Sequence, residues 1–219
     1  MKLALLVFYG ILITTTAAMA QADVQISSDK ISLDKWKDGT KLHFNIPNGI
    51  SSTTAFKTRL QTDGTTEYYK GNVNYELRVY SLALKNNFGT EYEIVLKKKP
   101  PVNYISIPVN LTGLVAYYQP PLDEEMNDLT CTPTDCQDAH RPENVVGSYA
   151  IYHATKKDYR IGQTNYMAGK AYHIYRPQMV DSLGNKAWCV FNKDLNTTWV
   201  LTITCPQSFL DAAVYPVKI

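Results

Sequence analysis

The chain has 219 residues, with 22 lysines and arginines against 20 aspartates and glutamates, a formal net charge of +2, and 16 tyrosines. So even a balance gives no electrostatic case for nucleic acid as a partner, and the length suits one large β domain or two small ones around a real core. The one basic cluster, Lys97-Lys98-Lys99, is bounded by Pro100-Pro101 and reads as a solvated strand end.

Met1-Lys2 is a minimal positive start, Leu3 to about Thr15 is an apolar run, and Ala18-Met19-Ala20 is a small-residue cleavage site. Residues 1–20 therefore read as a secretory signal peptide. The apolar run is shorter than the roughly 20 residues a bilayer demands, so no stable membrane insertion is expected after cleavage. Gln21 rather than a cysteine follows the cut, which gives no lipid attachment. The expected location is secreted or at the cell surface, with virion association also open.

In the mature chain, helical periodicity is nearly absent and strand signals recur. Lys41 to Ile46, Tyr75 to Tyr80 and Tyr92 to Lys97 alternate apolar and polar residues, each with one buried face. Between Thr54 and Lys70 the pattern weakens; Asp63-Gly64 reads as a tight turn, and a short helix over Ala55 to Gln61 stays open. Val102 to Val109 alternates again, and Pro108 there implies an edge or a strand break. Gly113 to Tyr118 is a further short strand. Residues 123–146 are acidic, polar and proline-containing, a long surface loop between an N-terminal half (21–122) and a C-terminal half (147–219), unless 24–219 is one continuous domain. Gly147 to His153 and Gly169 to Pro177 resume the strands, and Asp181 to Asn185 is a turn. Ala187 to Phe191 and Trp199 to Cys205 read as a terminal β-hairpin stopped by Pro206, followed by a short helical turn over Ser208 to Ala213 and a closing extended segment, Val214 to Ile219. Among the large apolar residues of this region, Trp199 is expected to face inward beside Leu201 and Ile203. The sum is an all-β fold, an antiparallel sandwich or two packed sheets.

Four cysteines in an exported chain point to disulfides. Cys131 and Cys136 enclose only four loop residues, and strand parity lets Cys189 meet Cys205 across the hairpin, so these two bridges are expected. Each should contribute less than the typical ~2–4 kcal/mol because both loops are short. The rival is a zinc site with His140, which lacks paired Cys-x-x-Cys knuckles. No metal and no cofactor are expected.

Catalytic constellations are thin. Ser148, His153 and Asp158 cluster in sequence, but no nucleophile elbow surrounds Ser148, and parity sends it and His153 to opposite faces. A second constellation concerns binding. If the runs around residues 149–153 and 171–175 pair, His153 and His173 would share one face with tyrosines, a platform for sugar or peptide built from Tyr149, His153, Tyr172, His173 and Tyr175. The competing reading is that half of these rings are core and the rest merely line a sheet face.

The succession Glu91 to Pro100, Asn103 to Pro108, Gly113-Leu114, Tyr175 to Asp181, Phe209-Leu210 and Tyr215-Pro216-Val217-Lys218-Ile219 resembles a β-rich domain of large exported bacterial and phage-borne proteins. Members of that family close on a Tyr-Pro-Val-Thr-Ile-Asp-Pro-Thr-like segment and precede jelly-roll, carbohydrate-binding or YD-repeat modules; related blocks occur in uncharacterised metagenomic and phage proteins. The resemblance implies a non-enzymatic exported structural or adhesive module, a spacer or docking domain of a surface or virion-associated protein. The alternative is a carbohydrate-binding module using the tyrosine-rich face. The partners implied are a polysaccharide or another surface or virion protein.

Overall fold

The computed structural model describes residues 23–81, 89–122, 141–156, 160–161, 164–165, 169–192 and 195–219. Residues 1–20, read above as a signal peptide, lie outside them, as do Cys131, Cys136, His140 and Asp158, so the expected cleavage site and the first expected bridge are not described. The fold is all-β and antiparallel.

Strands β1 (Asp23–Ile26), β2 (Lys30–Asp34), β3 (Lys41–Asn45) and β8 (Tyr104–Thr112) form one six-stranded sheet with β17 (Val200–Thr204) and β16 (Val190–Phe191), in the order β1-β2-β3-β8-β17-β16. A seven-stranded sheet runs β15 (Lys186–Trp188), β14 (Gln178–Val180), β18 (Val217–Lys218), β7 (Thr90–Leu96), β6 (Tyr75–Ser81), β5 (Thr66–Gly71) and β4 (Lys57–Leu60). A third sheet of three strands sets β10 (Ser148–His153) between β13 (Lys170–Ile174) and β9 (Leu114–Gln119). The small hairpin of β11 (Arg160–Ile161) and β12 (Thr164–Asn165) completes the described strands.

Period-two alternation builds one shared core. Leu42, Ile107, Val109, Leu111, Leu201 and Ile203 point inward from the first sheet, and Leu77, Val79, Ile94, Leu96, Met179 and Val217 from the second. Phe44 of β3 meets Tyr92 of β7 with ring centroids 5.6 Å apart, and the Tyr92 hydroxyl donates to the Asn45 carbonyl, so the two sheets touch face to face. Leu114, Ala116, Tyr149 and Ile151 bring the third sheet into the same cluster. Both large sheets take strands from either side of residues 123–146: β8 pairs β17, and β7 pairs β18.

Three expectations need correction, and one open alternative, a helix over Ala55 to Gln61, is decided against. The run Ala187 to Phe191 is not one hairpin strand. Its first part, β15, pairs with β14 in the seven-stranded sheet, while β16 pairs with β17 in the other, and Cys189 sits at the crossing. At that crossing the Cys189 N–H donates to the Pro177 carbonyl, and the Arg176 guanidinium donates to the Cys189 carbonyl. Trp199 does not face inward: it is 46% exposed, at φ +53° directly after the single helical turn α1 (Leu195–Thr198), and this left-handed residue resets the chain direction before β17 begins. Leu195, 1% exposed, enters the core instead. Residues 57–60 form the exposed strand β4 rather than a helical turn, because they can pair with β5 across the Gly64 turn. Pro108 neither breaks β8 nor marks an outer strand of the sheet, since its nitrogen faces the side on which β3 is departing and no ladder donor is lost.

The Cys189–Cys205 bridge is present, as parity allowed. Helix α2 (Gln207–Ala212) follows Pro206 and buries Leu210, and β18 then inserts between β14 and β7. Two glycines have geometric reasons. Gly113, at φ +65°, turns β8 into β9 and so carries the chain from one sheet to the next. At Gly169 a Cβ would collide with the Lys156 carbonyl.

Candidate functional site

The three-stranded sheet places every residue singled out for binding, and its register divides them. Tyr149 lies opposite Tyr118 and Ile174, and Ile151 opposite Ala116 and Tyr172, which puts Tyr149, Ile151 and Tyr172 on the inner face. Ala150 lies opposite Tyr117 and His173 on the outer face. His153 and His173 are therefore on opposite sides of the sheet, contrary to the shared platform expected from sequence. The two runs do pair, but in a register that sets His173 opposite Ala150, a residue of the other parity from His153, and alternation alone cannot show that offset.

Tyr149 is 1% exposed; its ring packs on Tyr118 and Phe191, and its hydroxyl donates to the Asn192 carbonyl. It is a core residue that joins the third sheet to the edge of the first. Tyr172 is half-buried against the same core, and burial raises its phenol pKa. His153 is pinned at the strand end. Its Nδ1 accepts from the N–H groups of Thr155 and Lys156, at 3.1 and 2.8 Å, so the ring proton sits on Nε2, 3.4 Å from Asp38. The Trp36 ring lies edge-on to it at 5.3 Å, with Lys35 and Lys156 over the indole. Thr40 hydrogen bonds hold the Asp38 carboxyl down at about 2, so it is ionised throughout the physiological range.

The outer face keeps His173 and Tyr175 and adds two residues that sequence did not assign to it, Tyr117 and Tyr152. Tyr117 and Tyr175 are 54% and 56% exposed. Tyr117 and Tyr152 meet edge to face at 5.5 Å, while His173 stacks on Tyr175 at 4.5 Å. The parity signal was present in Ala116-Tyr117-Tyr118, but only the pairing of β9 with β10 shows which tyrosine turns out. Beside the rings, Gln119, Lys156 and Gly169 border an open hollow of about 440 Å³. Such a surface offers apolar ring faces, phenol hydroxyls and a cation at its margin.

Below these rings Ser148 and His173 form a polar pair, Oγ to Nε2 at 2.7 Å. Burial, reinforced by Lys170, lowers the imidazole pKa to about 4, so it is neutral at pH 7. Ser148 has no exposed surface, and the groups that act on the His173 ring among the described residues are Ser148 and Lys170 rather than a carboxylate. The arrangement anchors the imidazole beneath Tyr175 rather than presenting a hydroxyl to solvent.

The outward side of the seven-stranded sheet is chemically different. Arg78 bonds Glu76 at 2.7 Å and Glu93 at 3.1 Å, Arg59 bonds Glu67 and Glu76, and Lys97 and Lys218 reach Glu76 and Glu93. The charges are mutually satisfied. Among the described residues no group of three or more His, Cys, Asp or Glu side chains could hold a metal ion, and Cys189 and Cys205 are occupied by each other. No described helix is long and apolar enough to cross a membrane. No family model, curated protein or solved structure matches the chain.

Proposed function

We propose that this chain is a non-enzymatic exported structural or adhesive β module, a spacer or docking domain of a surface or virion-associated protein. The observation that carries the reading is mechanical. β8 is clasped by β3 and β17, and β18 is locked between β7 and β14, so early and late parts of the chain cannot separate without tearing both large sheets. A signal-like start and a rigid body with satisfied internal charges suit a part that holds or spaces other parts. The test is fractionation of cells producing the tagged full chain. Recovery in the surface-bound or particle fraction is expected, and recovery only as free soluble protein would overturn the reading.

A second reading, carbohydrate binding, is favoured by one specific feature, the exposed cluster of Tyr117, Tyr152, His173 and Tyr175. The rings of Tyr117 and Tyr152 are nearly perpendicular, at 86°, so they would grip the edge of a sugar rather than offer a flat shelf. Affinity electrophoresis through gels cast with soluble polysaccharides tests it. Retardation lost in the Tyr117→Ala/Tyr152→Ala double variant supports this reading, and mobility equal to that in an empty gel for every polysaccharide removes it.

A further inference from the structure

We propose that β8 carries a docking groove for an extended, apolar peptide segment of a partner protein, which adds as a strand along Tyr104 to Ser106. The inference rests on the docking reading above and deepens it. The Cys205 N–H donates to Asn103 and the Val109 N–H donates to Trp199, which fixes the ladder phase: residues 103, 105, 107 and 109 exchange bonds with β17. Residues 104 and 106 therefore aim their N–H and C=O groups the other way. On that side β3 pairs β8 only from Val109 to Thr112. Beyond it, the Ile46 N–H turns to the Asp29 carbonyl and Pro47 has no N–H to offer. Among the described residues, nothing pairs with the outward backbone groups of Tyr104 and Ser106.

The gap that β3 leaves is an apolar cleft of about 240 Å³, walled by Pro47, Ile50, Leu96, Ile105, Leu210 and Ile219 among others. Ser106 lines it too, although its hydroxyl faces Thr202 at 3.3 Å. The volume lies under the roughly 300–1,000 Å³ usual for a small-molecule pocket, and suits an aliphatic side chain carried on a backbone. Backbone groups unpaired at every second residue, beside such a cleft, are the two requirements of strand addition: hydrogen bonds supply affinity and alternate side chains supply selectivity. Val102 and Tyr104, 44% and 52% exposed, form the rim. Charge selects the partner further. The wall at Pro100 follows the Lys97-Lys98-Lys99 run, in which Lys97 and Lys99 have carboxylate partners while Lys98 is exposed with no ion pair among the described residues. The guest is accordingly an extended segment with valine or isoleucine at alternate positions and an acidic residue at one end.

The test uses the intact chain and a fluorescent synthetic peptide of about eight residues with that pattern, by anisotropy titration and amide hydrogen exchange. Saturable binding is expected, with slowed exchange at Tyr104 and Ser106, and at least a tenfold weakening when the guest amides facing the host are N-methylated. On the protein side Ser106→Pro removes an outward N–H that no internal partner uses, at a position of the same parity as the tolerated Pro108, and should also weaken binding at least tenfold. The N-methylated peptide keeps the test decisive on the parent chain should that variant not fold. No binding, or equal binding of a scrambled or N-methylated peptide, overturns the groove. A concentration-dependent dimer abolished by Ser106→Pro would assign the edge to a second copy and overturn it as well. Surface retention separates the two readings: a parent chain that is never retained sinks the docking function, whereas parent and Ser106→Pro chains retained alike show docking through another surface and sink the groove alone.

Discussion

At the level of single residues, exposure and partners decide what each large side chain is worth. Trp199 looked central because it is large and precedes an alternating run, yet it is left-handed and 46% exposed, whereas Leu201 is 2% exposed. Trp199→Ala should cost about 1 kcal/mol or less, and Leu201→Ala about 2–5 kcal/mol, with urea midpoints of the two variants as the check. Hydropathy could not reveal this, since the apolar run suggested a strand starting at Trp199, whereas a positive φ there ends the turn and the strand begins only at Val200. His173 carries a pH signature. Its folded pKa, lowered by burial to about 4, lies beneath the ordinary value near 6.5, so below that value the unfolded chain takes up the proton first. The stability it allows is complete above about pH 6.5 and declines as pH falls toward 4, by on the order of 1–2 kcal/mol once solvent screening is allowed for. Burial lowers the His43 pKa as well. The comparison must therefore be between the parent and His173→Gln, whose stability curve should be flatter between pH 6.5 and 4; parallel curves would remove His173 as the source.

Among the elements, strands with strict alternation were legible and crossings were not. β3, β6, β7, β8, β10 and β13 follow from period two, and α2 and the Asp181 turn from their local residues. β1 and β2 were missed because Ser27-Ser28 and Lys30 dilute the pattern, and the division of Ala187 to Phe191 between two sheets leaves no local trace. The exposed aromatic face was half legible: His173 and Tyr175 could be named from alternation, but Tyr117 and Tyr152 needed the β9–β10 pairing. Cys189 makes the crossing consequential. Its bridge to Cys205 ties the point where the chain changes sheets to the end of β17, across a separation of 16 residues. Chain-entropy reasoning gives about 3 kcal/mol for a loop of this size, within the typical range rather than below it as its shortness suggested. The Cys189→Ala/Cys205→Ala chain should lose about 2–3 kcal/mol, read as a lower melting temperature without loss of the β signature in circular dichroism. On the charged face, Arg78 sits between Glu76 and Glu93 while Glu67 and Glu93 are only 5% and 7% exposed. Removing that cation strands carboxylates in a poorly solvated place, so Arg78→Ala should cost about 2–4 kcal/mol, far more than an exposed pair. An unchanged denaturation midpoint would mean that Arg59 and Lys218 suffice.

For the molecule as a whole, the question is whether the halves on either side of residues 123–146 behave as one unit. Composition suggested a boundary there, since the segment is polar and both flanks carry strands. The sheets answer differently, because strand order is a property of long-range pairing that no local window contains. β8 and β17 exchange bonds across about a hundred residues of chain, β18 bridges β14 to β7, and Leu42, Leu77, Tyr149, Leu201 and Val217 belong to one buried cluster. Neither half has a complete sheet alone: without residues 147–219, β8 loses its partner β17 and β7 loses β18. A chain stopped at Pro206 would lack α2 and β18 and leave β14 without its link to β7, so it should fail to fold. The intact chain should unfold in a single transition, with tryptophan fluorescence and far-ultraviolet circular dichroism giving coincident curves. The probes are well placed for this, since Trp36 packs beside β10 and Trp188 lies in the seven-stranded sheet under Arg176. Separated transitions, or a stable fragment spanning residues 21–122 alone, would show that the shared sheets contribute too little to couple the halves.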